Sequence, residues 1–85
     1  MLAPRVLYRK YGGYLYILNL NTSKSYVFEG IASELIDILA TAETVDLDEI
    51  LARVEEDYEV ENPAQMRKEV EDFVKALKAD DILRR

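Results

Sequence analysis

At Glu29-Gly30 the hydrophobic pattern of this chain changes period. Upstream, β-branched and aromatic residues fall in short runs broken by turn residues: "RVLYRKYGGYLYILNL", then "NTSKSYVF". Downstream, apolar residues recur three and four positions apart, and no strong strand pattern returns. A period of two puts alternate side chains on opposite faces of a strand, whereas a period near 3.6 makes a stripe along a helix. The chain is therefore expected to form a small sheet first and helices afterwards. That order raises a question. If "KSYVF" is the last strand, its outer edge has no later strand to pair with, and a bare flat edge invites aggregation unless something covers it.

The sheet is expected as a meander. Strand one lies near Val6–Lys10, a turn at Tyr11–Gly13 carries the Gly-Gly pair, and strand two runs near Tyr14–Leu20. Asn, Thr and Ser make a second turn before strand three at 24–28. Strand two offers Tyr14, Tyr16, Leu18 and Leu20 on one face and Leu15, Ile17 and Asn19 on the other. An antiparallel sheet in a small domain usually keeps one face wet and alternates cleanly. Here both faces are largely apolar, and five of the six tyrosines precede residue 27. Tyr rings can simply cover an exposed sheet face. They also suit an interface with another protein, since each joins a large apolar body to a polar tip.

Three helices are expected next. The first, near Gly30–Ala40, carries Ile31, Leu35, Ile38 and Leu39 on one face. The second starts with Asp46 as N-cap and Glu49 at N3, with Val45 and Ile50 placed as a hydrophobic staple. Its apolar face is Leu47, Ile50, Leu51, Val54 and Tyr58. The third opens "NPAQ": Asn62 caps, Pro63 fits N1, and Gln65 at N3 can reach back. Its stripe is Met66, Val70, Phe73, Val74 and Leu77, and Ile82 and Leu83 pack the C-terminus down.

Composition then removes whole classes of function. With 85 residues, one domain spanning 1–85 is expected, and its core has little room for a cofactor cavity. There is no Cys, hence no disulfide, thiolate metal site or thiol nucleophile. There is no His, so neither an ordinary serine triad nor the commonest metal ligand is available. The acidic pairs Glu55-Glu56 and Asp80-Asp81 have no loop or imidazole beside them, "VDLDEI" is a helix start and not a calcium loop, and Gly12-Gly13 is a hairpin turn and not a phosphate loop. No enzyme, cofactor or metal is expected. No apolar run nears the ~20 residues of a membrane span, and the N-terminus has no signal-peptide core. A cytoplasmic protein without a membrane partner is the expectation.

Charge is unevenly spread. Residues 1–28 carry four basic residues and no acid, residues 29–61 carry twelve acids against Arg53 alone, and residues 62–85 are nearly balanced, for a net charge of −6. A polyanion would be repelled by the middle of the molecule.

Sheet first, then three capped helices, is an α+β, winged-helix-like order, β1-β2-β3-α1-α2-α3. The stretches "YLYILNLNTSKSYVFEGIASELIDIL", "TVDLDEILARVEEDYEV" and "VEDFVKALKADDIL" resemble the PqqD-like family, the RiPP recognition elements. These domains bind leader peptides of ribosomally made, post-translationally modified peptides. The resemblance runs from about Val6 to Leu83. Phe28 and Glu29 stand where the family usually has Leu and Asn, and Ala79–Leu83 lacks the usual Gly.

The resemblance implies an answer to the question of the free edge. The leader adds as a further strand along strand three, in the groove beside helix three, with backbone bonds giving affinity and pockets giving selectivity. It implies that Lys24, Ser25, Tyr26, Val27 and Phe28 meet the peptide backbone. It places Val70, Phe73, Val74 and Leu77 at the groove floor, shared with the core. Arg67, Lys68, Lys75 and Lys78 border that stripe and are candidates to meet leader carboxylates, although spacing leaves open which of them face the groove. The implied role is a non-catalytic adaptor that hands the precursor to a maturation enzyme. A leader peptidase, as in lasso-peptide pathways, comes first, and a radical-SAM maturase, as in pyrroloquinoline quinone biosynthesis, second. Two other readings remain open: an acidic winged-helix DNA-binding regulator, which the charge opposes because phosphate contacts supply most DNA affinity, and a structural subunit that dimerises through its apolar sheet face.

Overall fold

A computed structural model of the chain describes residues 2–42 and 46–84. Strands β1 (Val6–Tyr11), β2 (Tyr14–Asn19) and β3 (Lys24–Glu29) form one antiparallel sheet in the order β1-β2-β3. Helices α1 (Gly30–Thr41), α2 (Leu47–Asp57) and α3 (Pro63–Ala79) follow. This is the α+β order expected from the change of hydrophobic period.

Local chemistry accounts for the element boundaries. Gly12 and Gly13 both take positive φ, 58° and 84°, as a tight hairpin turn between right-twisted strands requires. At the switch from sheet to helix Gly30 has φ 62°, a conformation that costs glycine little. Asp46 caps α2, its side chain accepting from the backbone N–H groups of Asp48 and Glu49. Asn62 caps α3 by accepting from the N–H of Gln65, with Pro63 at the first helical position. The Gln65 side chain does not reach back; it donates to Glu69 Oε1 at 3.3 Å. The proposed staple involves Val45, which lies outside the described residues.

The inner face of the sheet and the helices share one core. Leu15 and Ile17 from β2 pack with Leu35, Ile36 and Leu39 of α1, Ile50 and Val54 of α2, Val70, Val74 and Leu77 of α3, and Ile82 and Leu83 beyond it. Among the described residues, one polar side chain is buried with them. Asn19, on the inner face of β2 and fully buried, donates to the backbone oxygens of Asp80 (3.0 Å) and Asp81 (3.2 Å) and accepts from the Asn21 N–H (2.9 Å). A buried amide is tolerated when it is bonded in this way. Here it fastens the end of the sheet to the end of α3. Ala3 adds to the same closure by donating to Ile82 O at 2.9 Å.

Candidate functional site

The register of the sheet decides which backbone groups are free. Leu20 N–H donates to Arg5 O at 2.9 Å, one step beyond the Val6–Asn19 pair. In an antiparallel ladder, bonded pairs alternate along the strand. The even-numbered residues of β2 therefore bond toward β1, and its odd-numbered residues bond toward β3. On β3 that engages Lys24, Tyr26 and Phe28, the partners of Asn19, Ile17 and Leu15. The N–H and C=O groups of Ser25, Val27 and Glu29 point away from the sheet. Among the described residues, no bond from a turn or loop reaches those of Ser25 and Val27; Glu29 is the N-cap of α1, where the carbonyl accepts the first bond of the helix.

The two edges of the sheet differ in character. β1 carries Arg9 and Lys10, and Lys10 Nζ pairs with Asp37 at 3.3 Å. Charge, lysine above all, is a common guard against unwanted strand pairing. β3 runs Ser25-Tyr26-Val27-Phe28 without a charge, and Val27 is 59% exposed.

Beside the β3 edge, α3 stands off from the sheet. Among the described residues, no Cα of β3 comes within 8 Å of a Cα of α3. Three half-buried rings span the gap. Tyr26 and Phe28 stack with centroids 6.2 Å apart, and Phe28 meets Phe73 of α3 edge-on at 5.9 Å and 84°. Edge-to-face contact at this spacing is a favourable aromatic geometry. Free backbone donors and acceptors thus run beside an aromatic floor.

The residues expected at the site are distributed as follows. Lys24, Ser25 and Val27 are exposed on β3, and Tyr26 and Phe28 are half-buried toward α3. Phe73 joins them. Val70, Val74 and Leu77 are buried in the core, against which Phe73 packs. The basic residues of α3 are not brought to the β3 edge. At 100° per residue, Lys75 lies about 200° around the helix from Phe73. Arg67 pairs with Asp48 of α2 and lies 3.8 Å from Glu71, and the bond to Asp48 raises the Arg67 guanidinium pKa above its ordinary value. Lys68 sits 4.0 Å from Asp72. Lys75 and Lys78 flank a hollow of about 280 Å³ with Leu47, Glu71 and Val74, on the α2 side. The Asn19 clamp was not singled out from sequence. Its signal was an amide at the inward position after Leu15 and Ile17, where only a bonded polar group is stable.

Chemistry elsewhere is sparse. Glu34 and Asp57 share a hydrogen bond between α1 and α2, and that bond, with burial and Asp57's charge, raises the Glu34 carboxyl above its ordinary value. Among the described residues no cluster of three or more His, Cys, Asp or Glu side chains could hold a metal ion. Nor, among the described residues, is any helix long and apolar enough to cross a membrane.

The sequence model for Coenzyme PQQ synthesis protein D (PqqD) matches residues 15–83. The chain belongs to the PqqD family. That stretch includes β2 from Leu15 on, β3 and all three helices, hence the β3 edge and the rings beside it. Among solved structures, the chain is similar to TbiB1 in complex with the TbiA(beta) leader peptide, with a TM-score of 0.85 and 19% identity, covering 98% of this chain and 93% of that one. At that identity the likeness is one of fold. No curated protein matches the chain.

Proposed function

We propose that this PqqD-family protein is a non-catalytic cytoplasmic adaptor. It binds the leader peptide of a ribosomally synthesised, post-translationally modified peptide precursor as a fourth strand along β3. The observation that carries the reading is the row of outward N–H and C=O groups at Ser25 and Val27, continued by the Glu29 N–H, beside the Tyr26–Phe28–Phe73 rings. Strand addition takes its affinity from such a row and its selectivity from alternate side chains. Every second leader residue would lie over the rings, so the floor favours apolar anchors. The fold shared with TbiB1, solved with a leader peptide bound, supports the same mode.

The adaptor then passes the precursor to a separate maturation enzyme. We favour the leader peptidase of a lasso-peptide pathway. A radical-SAM maturase is the second reading, and the family's description as a coenzyme PQQ synthesis protein favours it. The genes beside this one distinguish the two. A DNA-binding role fits poorly, since Arg67 and Lys68 of α3 are engaged by neighbouring carboxylates.

The test is fluorescence anisotropy with the leader of the precursor encoded nearby. Val27→Pro deletes one outward N–H and no bond to β2. With circular dichroism showing the variant folded, leader affinity should fall by about tenfold or more, the equivalent of at least one strong hydrogen bond. Equal binding by a folded Val27→Pro variant would end the strand-addition reading.

A further inference from the structure

The rings beside the β3 edge restrict what can lie over them. Tyr26 and Phe28 stand on the inner face of β3, opposite Ile17 and Leu15 of β2, both of which are sealed in the core. Phe73 comes to Phe28 from α3, where its helical neighbours Val70, Val74 and Leu77 are buried as well. All three rings pack against this core. A protein interior is close-packed and resists added volume. The rings therefore have little room to retreat inward.

The two rings of β3 differ in one respect. Phe28 is in contact with α3: its centroid lies 5.9 Å from that of Phe73, edge to face. Tyr26 stacks on Phe28 at 6.2 Å but, among the described residues, meets no ring of α3. Rings thus bridge β3 to α3 at Phe28 and not at Tyr26.

An antiparallel strand added at this edge would set one residue opposite each of them. Ser25 and Val27 hold the outward backbone groups, so Tyr26 and Phe28 would fall in the close pairs without hydrogen bonds, with Cβ atoms about 4.5–5.5 Å apart. The two leader residues concerned stand two positions apart and turn their side chains to the inner face. The one opposite Phe28 comes down on two rings already in contact. A methyl or isopropyl group can rest on them. An aromatic group needs the rings to part, and the core behind them resists. The residue opposite Tyr26 meets a single ring with no second one set against it from α3.

We propose that Phe28, held against Phe73, selects the leader by size: the leader residue opposite Phe28 is small, no bulkier than valine, while the one opposite Tyr26, two positions away, is large and apolar. The proposal deepens the leader-binding reading and rests on it. Selection of this kind works by refusing the wrong residue more than by rewarding the right one.

The experiment measures fluorescence anisotropy with the leader of the precursor encoded nearby and with a set of leaders in which each residue in turn is replaced by Phe. With wild type, one position should refuse Phe, with affinity falling about tenfold or more, as overpacking does, and the position two residues away should accept it within about threefold. Phe28→Leu takes away the ring contact. It should bind the leader with Phe at the refused position about tenfold more tightly than wild type does, as relief of overpacking allows. Phe73→Leu opens the same contact from α3 and should relieve the same position, so it carries the test if circular dichroism shows Phe28→Leu unfolded. The size selection is overturned if no position refuses Phe, or if neither variant relieves the refused one. Equal weakening of every leader by Phe28→Leu would also overturn it, since the ring would then be plain contact surface. If the natural leader does not bind wild type at all, the leader-binding reading itself falls, and the size selection with it.

Discussion

The flank of α3 turned toward β3 carries Phe73; the flank turned toward α2 carries Arg67, Lys75 and Lys78. The first is apolar and lies across a gap from free backbone groups. The second is basic, and its arginine is held by Asp48 and Glu71. One helix thus separates two kinds of surface. A peptide that adds to β3 would meet rings and main chain, whereas Arg67 ties α3 to α2 through Asp48. Selectivity at the β3 edge should depend on apolar anchors far more than on leader carboxylates.

Four substitutions can break or sharpen that contrast. The largest effect is expected at Asn19, whose amide sets the end of α3 against the sheet and so fixes which flank faces β3. Asn19→Ala leaves two carbonyls without their donor and should cost about 2–3 kcal/mol in denaturant unfolding. A negligible loss would mean that α3 is oriented by its apolar stripe alone. Phe73→Ala comes next. It should lower leader affinity about tenfold and stability by about 1–2 kcal/mol, less than a fully buried Phe would. Full leader affinity in this variant would put the peptide elsewhere. Reversing the other flank, Lys75→Glu with Lys78→Glu, should change leader affinity by no more than about twofold, since exposed charges contribute little and are screened by salt. A tenfold loss there would move the leader to the α2 side and overturn the contrast.

The smallest effect lies away from both flanks, at Glu34. Its carboxyl is raised by the bond to Asp57, so the folded state holds that proton more tightly than the unfolded chain. This contributes stability below the ordinary glutamate range and is lost as pH rises through the raised value. Glu34→Gln should therefore melt slightly higher than wild type at neutral pH, by a few tenths of a kcal/mol, about the value of an exposed like-charge pair, and the difference should vanish in acid. A lower melting point at neutral pH would show that the shared proton is not the main interaction there.

Most of the fold was legible because it rests on local chemistry. The Gly12-Gly13 turn, the Asp46 and Asn62 caps and the change of period at Glu29-Gly30 each depend on residues a few positions apart. Ile36 was missed in the α1 stripe although it is fully buried, because α1 is covered on two sides, by the sheet and by α2, and its buried face is wider than one stripe. The candidate edge was legible too, since a meander that ends at β3 leaves β3 outermost. Which of its residues turn their backbone outward was not. That followed from a single bond, Leu20 to Arg5, which fixes the phase of the whole ladder.

The sequence by itself determined that a small antiparallel sheet precedes three capped helices, that no His or Cys chemistry is available, and that the strand at 24–28 lies at the sheet's end. Tertiary structure alone decided the rest of the site. Residues at the border of a helical stripe sit tens of degrees from its centre, and a modest rotation of α3 would carry them to either side. Spacing could therefore not assign Arg67, Lys75 and Lys78 to a flank, nor show that Val70, Val74 and Leu77 are sealed in the core while Phe73 reaches Phe28. The rotation is held by core packing and by Asn19, whose acceptor on Asp80 lies 61 residues away along the chain. Contacts that distant leave no periodic trace in sequence, because each end satisfies its own local pattern equally well with or without the other.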